Sequence, residues 1–194
     1  PFDDVPRVVH KRVFEGFADS PALEPMIVPY TEVVHDRLNV EILRGCARGC
    51  RFCQAGFLYR PFREKSPETI VRQCRSLCDT TGYQELSLSS LSTSDHSQLE
   101  ETLNQLLPYL DENRINITLP SLRVDNFSKE LMDRIQGVRK SSLTFAPEAG
   151  TQRLRDVINK NVSEEELMRT AGIAFSGGFA TVKLYFMMGL PTET

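Results

Sequence analysis

The segment Asn39–Cys53, "NVEILRGCARGCRFC", sets a short apolar run directly against a loop holding three cysteines. The run at 39–43 has the length and residue types of a strand, so Cys46, Cys50 and Cys53 stand in the loop at its carboxyl end. Runs of the same kind return downstream as "ELSLSS" at 85–90, "INITL" at 115–119, "SSLTF" at 141–145 and "TVKLYFMM" at 181–188. Between them lie segments with helical spacing, each preceded by a cap. Ser66 with Pro67 and Glu68 opens one, and Ser94 or Asp95 precedes Leu99, Leu103, Leu106, Leu107 and Leu110. Ser128 precedes Leu131, Met132 and Ile135, and Ser163 with Glu166 forms a capping box before Leu167, Ala171 and Ala174. Strand and helix alternating in this order require right-handed crossovers and a parallel sheet.

An open doubly wound sheet and a barrel both satisfy that alternation. A complete eight-stranded barrel takes ~250 residues, and five strands here occupy about 150. The fold class expected is therefore α/β, a partial (β/α) TIM-type barrel truncated after about its fifth strand. Residues 1–38 read as a proline-rich lead-in with one strand at most, "MIVPYTEVV" at Met26–Val34; residues 39–194 form the core domain. The chain opens on Pro1 and stops at Thr194 inside an unfinished motif, so it is expected to be a fragment of a longer protein.

At 194 residues and 40% hydrophobic content the chain can bury a sizeable core. A net charge of −3, from 23 basic and 26 acidic residues, leaves no whole-chain footprint for DNA or an acidic membrane surface. No apolar stretch approaches the ~20 residues of a membrane span, and the opening residues lack the apolar centre of a signal peptide. The expected location is the cytoplasm. Five cysteines, clustered and odd in number, do not make a disulfide framework, and in a reducing compartment they point to metal.

A zinc ribbon needs a second ligand pair downstream of the first. None exists, and His10, His35 and His96 are scattered. Three thiolates can instead hold three irons of a cubane iron–sulfur cluster and leave the fourth iron open to a reactant. Cys46, Cys50 and Cys53, with Phe52 before the last, spell Cys-x-x-x-Cys-x-aromatic-Cys. This resembles the mark of the radical S-adenosylmethionine (radical SAM) superfamily.

The resemblance covers roughly residues 39–194. "FAPEAGTQRLRDVINK", after the fourth strand, is similar to a segment of the branch containing methylthiotransferases and the radical enzyme of tRNA wobble modification. "MMGLPTET", after the fifth, is similar to the Gly-x-Pro-x-Glu-Thr sequence of that branch. Radical SAM proteins fused to a cobalamin-binding domain are a further match, which would place such a domain upstream of Pro1.

The resemblance implies an enzyme whose [4Fe–4S] cluster, held by Cys46, Cys50 and Cys53, binds S-adenosylmethionine at the open iron. The cluster's electron then releases a 5′-deoxyadenosyl radical. No catalytic residue beyond the ligands is assigned. For S-adenosylmethionine it implies Ser89 and Ser90 near the methionyl amino group, Glu148 on the ribose and Arg153 or a neighbouring base on the carboxylate. The backbone at Phe52, Gly189 and Pro191 lies toward adenine. Implied partners are an unidentified substrate and a reductant such as flavodoxin or ferredoxin. The alternatives are a non-catalytic iron–sulfur module, for electron transfer or nucleic-acid binding, and a structural zinc domain.

Plainer readings stand beside several of these residues. Cys74 and Cys78 share a helix face with Val71 and Leu77, as packed thiols do. Arg44, Arg48, Arg51, Arg60, Arg63 and Lys65 crowd the cysteine loop with only Glu64 nearby in sequence. They are positioned to lower thiolate pKa values, to attract RNA, or simply to face water. Ser89 and Ser90 suit a strand-end turn, and Gly189 and Pro191 a chain reversal.

Overall fold

In a computed structural model, the structure describes residues 7–22, 25–125 and 143–194. Strands β1 (Leu38–Glu41), β4 (Glu85–Ser89) and β5 (Asn116–Thr118) form one parallel sheet in that order. Strands β6 (Leu143–Glu148) and β7 (Val182–Phe186) form a second parallel pair. Neighbours follow chain order with no reversal, the arrangement of a barrel rather than of a doubly wound sheet. A two-stranded antiparallel ladder, β2 (Leu43–Arg44) with β3 (Arg63–Glu64), stands apart from both.

The pleat separates two chemistries. Leu38, Val40, Leu86, Leu88 and Ile117 are buried on one face, and Asn39, Glu41, Ser87, Ser89 and Thr118 occupy the alternate positions. Against the apolar face pack helix α2 (Pro67–Thr81), through Ile70, Cys74, Leu77 and Cys78, and helix α3 (Leu99–Glu112), through Leu103, Leu106 and Leu110. Leu143 and Phe145 of β6 and Ala174 of the last helix belong to the same apolar cluster, so one core underlies both sheets.

Helix α2 begins as expected: the Ser66 hydroxyl accepts the Thr69 amide at 3.2 Å, Pro67 fills the first turn, and Gly82 closes the end in left-handed conformation. Helix α1 (Gln54–Leu58) follows the cysteine loop. Helix α4 (Gln152–Val157) follows β6, and α5 (Glu164–Ser176) opens on the expected Ser163–Glu166 capping box.

Three expectations change. Helix α3 starts at Leu99 without a side-chain cap, because Ser94 and Asp95 lie in a 3₁₀ turn where the Ser94 hydroxyl accepts the Arg123 amide and the Asp95 carboxylate pairs with Arg48. Residues 26–34 form no strand; Pro29 interrupts the run, and Ile27, Tyr30 and Val34 stand in solvent. The run at 39–43 breaks after Glu41, so that Leu43 and Arg44 turn away to pair with β3. The helix expected after Ser128 lies outside the described residues. Among the described residues no helix is long and apolar enough to cross a membrane.

Candidate active site at the carboxyl ends of the strands

Cysteine placement begins at Gly45. Its φ of +90° suits glycine, and a Cβ there would lie 2.8 Å from the carbonyl oxygens of both Tyr59 and Pro61. The β2–β3 ladder thus forms a stem from which Cys46, Cys50 and Cys53 project as free, half-buried thiols. Cys53 caps α1, its sulfur accepting the Gly56 amide at 3.4 Å, and its own amide donates to the Cys50 carbonyl at 3.1 Å. Phe52 stands 38% exposed beside it. Among the described residues no three His, Cys, Asp or Glu side chains converge on a single ion. The donor set is three thiols in one loop, which suits a cluster whose irons each take their own thiolate better than a zinc ion needing four converged ligands.

Two groups of contacts hold the loop. On one side the Arg48 guanidinium grips Asp95, from the turn after β4, through Nε at 2.8 Å and Nη2. Its Nη1 reaches Asp125, after β5, at 3.2 Å. On the other side the Asn159 amide donates to the Gly49 carbonyl at 2.9 Å, while the Arg51 amide and guanidinium donate to the carbonyls of Ile158 and Val157.

The loop's cations are therefore committed rather than free. Arg44 is paired bidentately with Glu41 and Arg48 with Asp95 and Asp125. Arg60 donates to the Cys46 carbonyl and stacks on Phe57, Arg63 donates to Phe14 and Pro61, and buried Lys65 donates to Gln73. Glu64, the one acid expected to oppose them, binds the Ser97 amide and hydroxyl instead.

Burial acts to raise the Asp95 carboxyl pKa, but hydrogen bonds from Arg48 and Ser92 outweigh it, aided by the charges of Arg48 and Arg123. The group is held below the usual carboxylate range. Its contribution to stability is then complete above the unfolded value of ~3.9 and is lost as pH falls through the lower folded value. In urea titrations wild type should lose more stability between about pH 5 and about pH 3 than Asp95→Asn does. Parallel curves would show that Asp95 carries none of the acid sensitivity.

The β6–α4 corner holds the remaining expected residues. Glu148 ends β6 at φ +66°, a conformation that costs a non-glycine residue about 1–3 kcal/mol and gathers at functional positions. Its carboxylate meets Lys160 Nζ at 3.3 Å, with both side chains mostly buried. Arg153 turns instead to Thr192, donating to its hydroxyl and carbonyl at 2.8 and 2.9 Å. That ties α4 to the 189–193 turn, where Gly189 adopts φ +76° and the Leu190 amide donates to Glu193. Arg155 is buried under the Ala149 carbonyl.

Ser90 and Ser89 lie where expected, at the end of β4, but Ser90 bonds within its own turn and Ser89 to the neighbouring strand. The Ser90 hydroxyl accepts the Ser92 amide and pairs with Thr93, and the Ser89 carbonyl accepts the Ile42 amide. Both still line an open cleft of about 550 Å³ with Glu41, Arg44, Gly45 and Tyr59, against the base of the cysteine loop. Cys74 and Cys78 are core residues. Burial pushes the Cys74 thiol well above its ordinary value and Cys78 up to about 11, so neither offers a thiolate at neutral pH.

Sequence reasoning missed Asn159, Lys160, Asp95 and Asp125 as site residues. Asn159 carried a faint signal, since asparagine tolerates the left-handed conformation it adopts at φ +54°. The two aspartates carried none, because their role depends on loops distant in sequence.

An uncharacterized protein of Methanocaldococcus jannaschii is 36% identical over 155 residues, 80% of this chain and 33% of the relative. The ribosomal protein uS12 methylthiotransferase RimO of Pseudothermotoga lettingae is 26% identical over 163 residues, 80% and 38% of the two chains. The chain thus spans about a third of the length of these relatives. Among solved structures, the radical S-adenosylmethionine methyltransferase TsrM of Kitasatospora setae, with cobalamin and a [4Fe–4S] cluster bound, superposes with a TM-score of 0.66. It is 15% identical, over 81% of this chain and 32% of that one, a likeness of fold. The family model of the Radical SAM superfamily matches residues 40–194, from the first strand through the cysteine loop to the last turn. With three cysteines at the carboxyl end of the first of a row of parallel strands, the chain belongs to the radical SAM superfamily, enzymes that work with a [4Fe–4S] cluster and S-adenosylmethionine.

Proposed function

We propose that Cys46, Cys50 and Cys53 hold a [4Fe–4S] cluster and that the surrounding residues bind S-adenosylmethionine for reductive cleavage. The observation that carries this reading is the set of three free, half-buried thiols on one stem-held loop in a chain of this family. The cluster, when bound, supplies the electron that breaks the sulfonium bond and an iron that accepts the methionyl group. The protein's own part is positioning and the exclusion of water.

Glu148 and Lys160 offer a carboxylate for ribose hydroxyls and an ammonium for the methionyl carboxylate. Lys160 is preferred to Arg153 as the carboxylate-binding base, because it stands beside Glu148 at the end of β6, whereas Arg153 is tied to the 189–193 turn through Thr192. Ser89 and Ser90 border the cleft beside the cysteine loop, which Glu148 and Lys160 do not line, and stay proposed for the methionyl amino group; Phe52, Gly189 and Pro191 stay proposed for the adenine side. The core of 39–194 and an upstream cobalamin domain are proposed on the same resemblance, and the lead-in of 1–38 on its prolines. The substrate is left unassigned.

Electron paramagnetic resonance of the reconstituted, dithionite-reduced full chain tests the reading. A [4Fe–4S]⁺ signal that shifts when S-adenosylmethionine is added supports it, and a signal indifferent to the ligand returns the chain to electron transfer. Lys160→Ala should keep the signal and require about tenfold more S-adenosylmethionine for the shift, as expected when a charge-assisted hydrogen bond is lost. Equal titrations of variant and wild type would remove Lys160 from the ligand site.

A further inference from the structure

Arg48 lies between Cys46 and Cys50 and makes three hydrogen-bonding or ionic contacts to two carboxylates from two other loops. Exposed ion pairs contribute little, but here the Asp95 and Asp125 side chains are only 9% and 12% exposed. Two carboxylates so sheltered tolerate each other only with a cation between them. Asp125 is also held by Arg123 at 2.9 Å, and Arg123 donates onward to the Asn161 carbonyl at 3.1 Å. Two residues back, Asn159 donates to the carbonyl of Gly49, the neighbour of Arg48. The contacts close a ring: cysteine loop, turn after β4, loop after β5, segment after α4, and back to the cysteine loop.

We propose that Arg48 is a positioning residue that shapes the cysteine loop before any metal arrives. Its planar fork, satisfied by Asp95 and Asp125, fixes the Arg48–Gly49 dipeptide and with it the two flanking thiols, Cys46 and Cys50. Cys53 is set separately, by its place as the cap of α1. Lysine cannot reproduce the arrangement, since it has no fork with which to reach both oxygens of Asp95 and also Asp125. Because the ring passes through Asn159 and Asn161, it also joins the loop to the corner where Lys160 meets Glu148. The proposal rests on the cluster reading for its purpose, though not for its geometry.

The test uses the full chain without its cluster and follows hydrogen exchange over residues 46–53, in which the Arg51 amide is bonded to Ile158. Arg48→Met should raise exchange there about tenfold or more, because sheltered Asp95 loses the guanidinium that pairs with it while Asp125 keeps Arg123. Adding Asp95→Asn to Arg48→Met removes the charge left behind and keeps the Arg123–Asp125 pair intact, so it should restore much of the protection, a rescue that loss of side-chain volume would not show. Arg48→Lys should fall between wild type and Arg48→Met.

The proposal is overturned by wild-type exchange in Arg48→Met, or by exchange in the double variant as fast as in Arg48→Met. If the double variant fails to fold, Arg48→Lys decides alone: full wild-type protection with lysine overturns the role of the fork. The same proteins are then reconstituted with iron and sulfide, and the resonance signal of Arg48→Met should be weaker or altered in shape. Wild type that takes up no cluster would defeat the functional reading of the preceding section, while the exchange measurement would still judge Arg48.

Discussion

Replacing Cys50 by alanine should abolish the [4Fe–4S]⁺ resonance of the reconstituted, reduced full chain and leave iron near background, while the same change at Cys74 should leave iron content untouched. The contrast follows from where the two thiols sit. Cys50 is half-buried in a loop with Cys46 and Cys53, and its amide neighbours are held by α1 and the α4 turn. Cys74 is fully enclosed between α2 and the sheet, where burial keeps its thiol protonated. A cluster with an open iron has no thiolate to spare, so losing one of three exposes a second iron and destabilises assembly. Iron and sulfide analysis beside the resonance spectrum checks the result. Full cluster content in Cys50→Ala, or loss of iron in Cys74→Ala, would mean that the ligand set has been misassigned.

The second large effect is expected from one methyl group. Gly45→Ala should cost about 3 kcal/mol or more in stability and prevent cluster assembly, although alanine is neither charged nor large. A left-handed φ costs an L-residue roughly 1–2 kcal/mol. At Gly45 the new Cβ would also lie 2.8 Å from two backbone oxygens and 3.1 Å from the Phe62 Cα. Backbone cannot swing aside as a side-chain tip can, so the stem formed by β2 and β3 must open. Gly82 provides the comparison: its φ is +73°, nothing lies within 4 Å of its Cβ position, and Gly82→Ala should cost only the conformational penalty of about 1 kcal/mol. Urea denaturation together with iron analysis separates the two. Equal losses at the two glycines would show that the Cβ contact at Gly45 is relieved by a backbone shift.

Much of this architecture was legible in the amino-acid order because it depends on short-range rules. Apolar runs of strand length, Ser66 before Pro67, and Ser163 three residues before Glu166 act over one or two turns of chain. The strands and two of the helix starts follow from them. The spacing of Cys46, Cys50 and Cys53 is likewise local, and three thiols with no fourth ligand indicate an iron–sulfur chemistry without help from the fold. Burial of Cys74 and Cys78 was readable from their shared helix face with Leu77.

What failed to show in the sequence involves partners brought close by folding. Asp95 looks like a helix cap when read with its neighbours, and becomes the counter-ion of Arg48, 47 residues away, when β1 and β4 lie side by side. Arg153 looks available on its helix until the 189–193 turn folds back upon it. Lys160 enters the proposed site only because Glu148 ends a strand with its carboxylate beside it. The antiparallel stem holds two residues on each side, too few for any periodicity to reveal. The sequence by itself thus determined the strand–helix order and the spacing of the cysteine loop proposed to hold the cluster, since both are written in near-neighbour chemistry. Only the tertiary structure decided which charges oppose one another around that loop, because charge pairing is a property of distance in space and the chain does not encode it as a spacing.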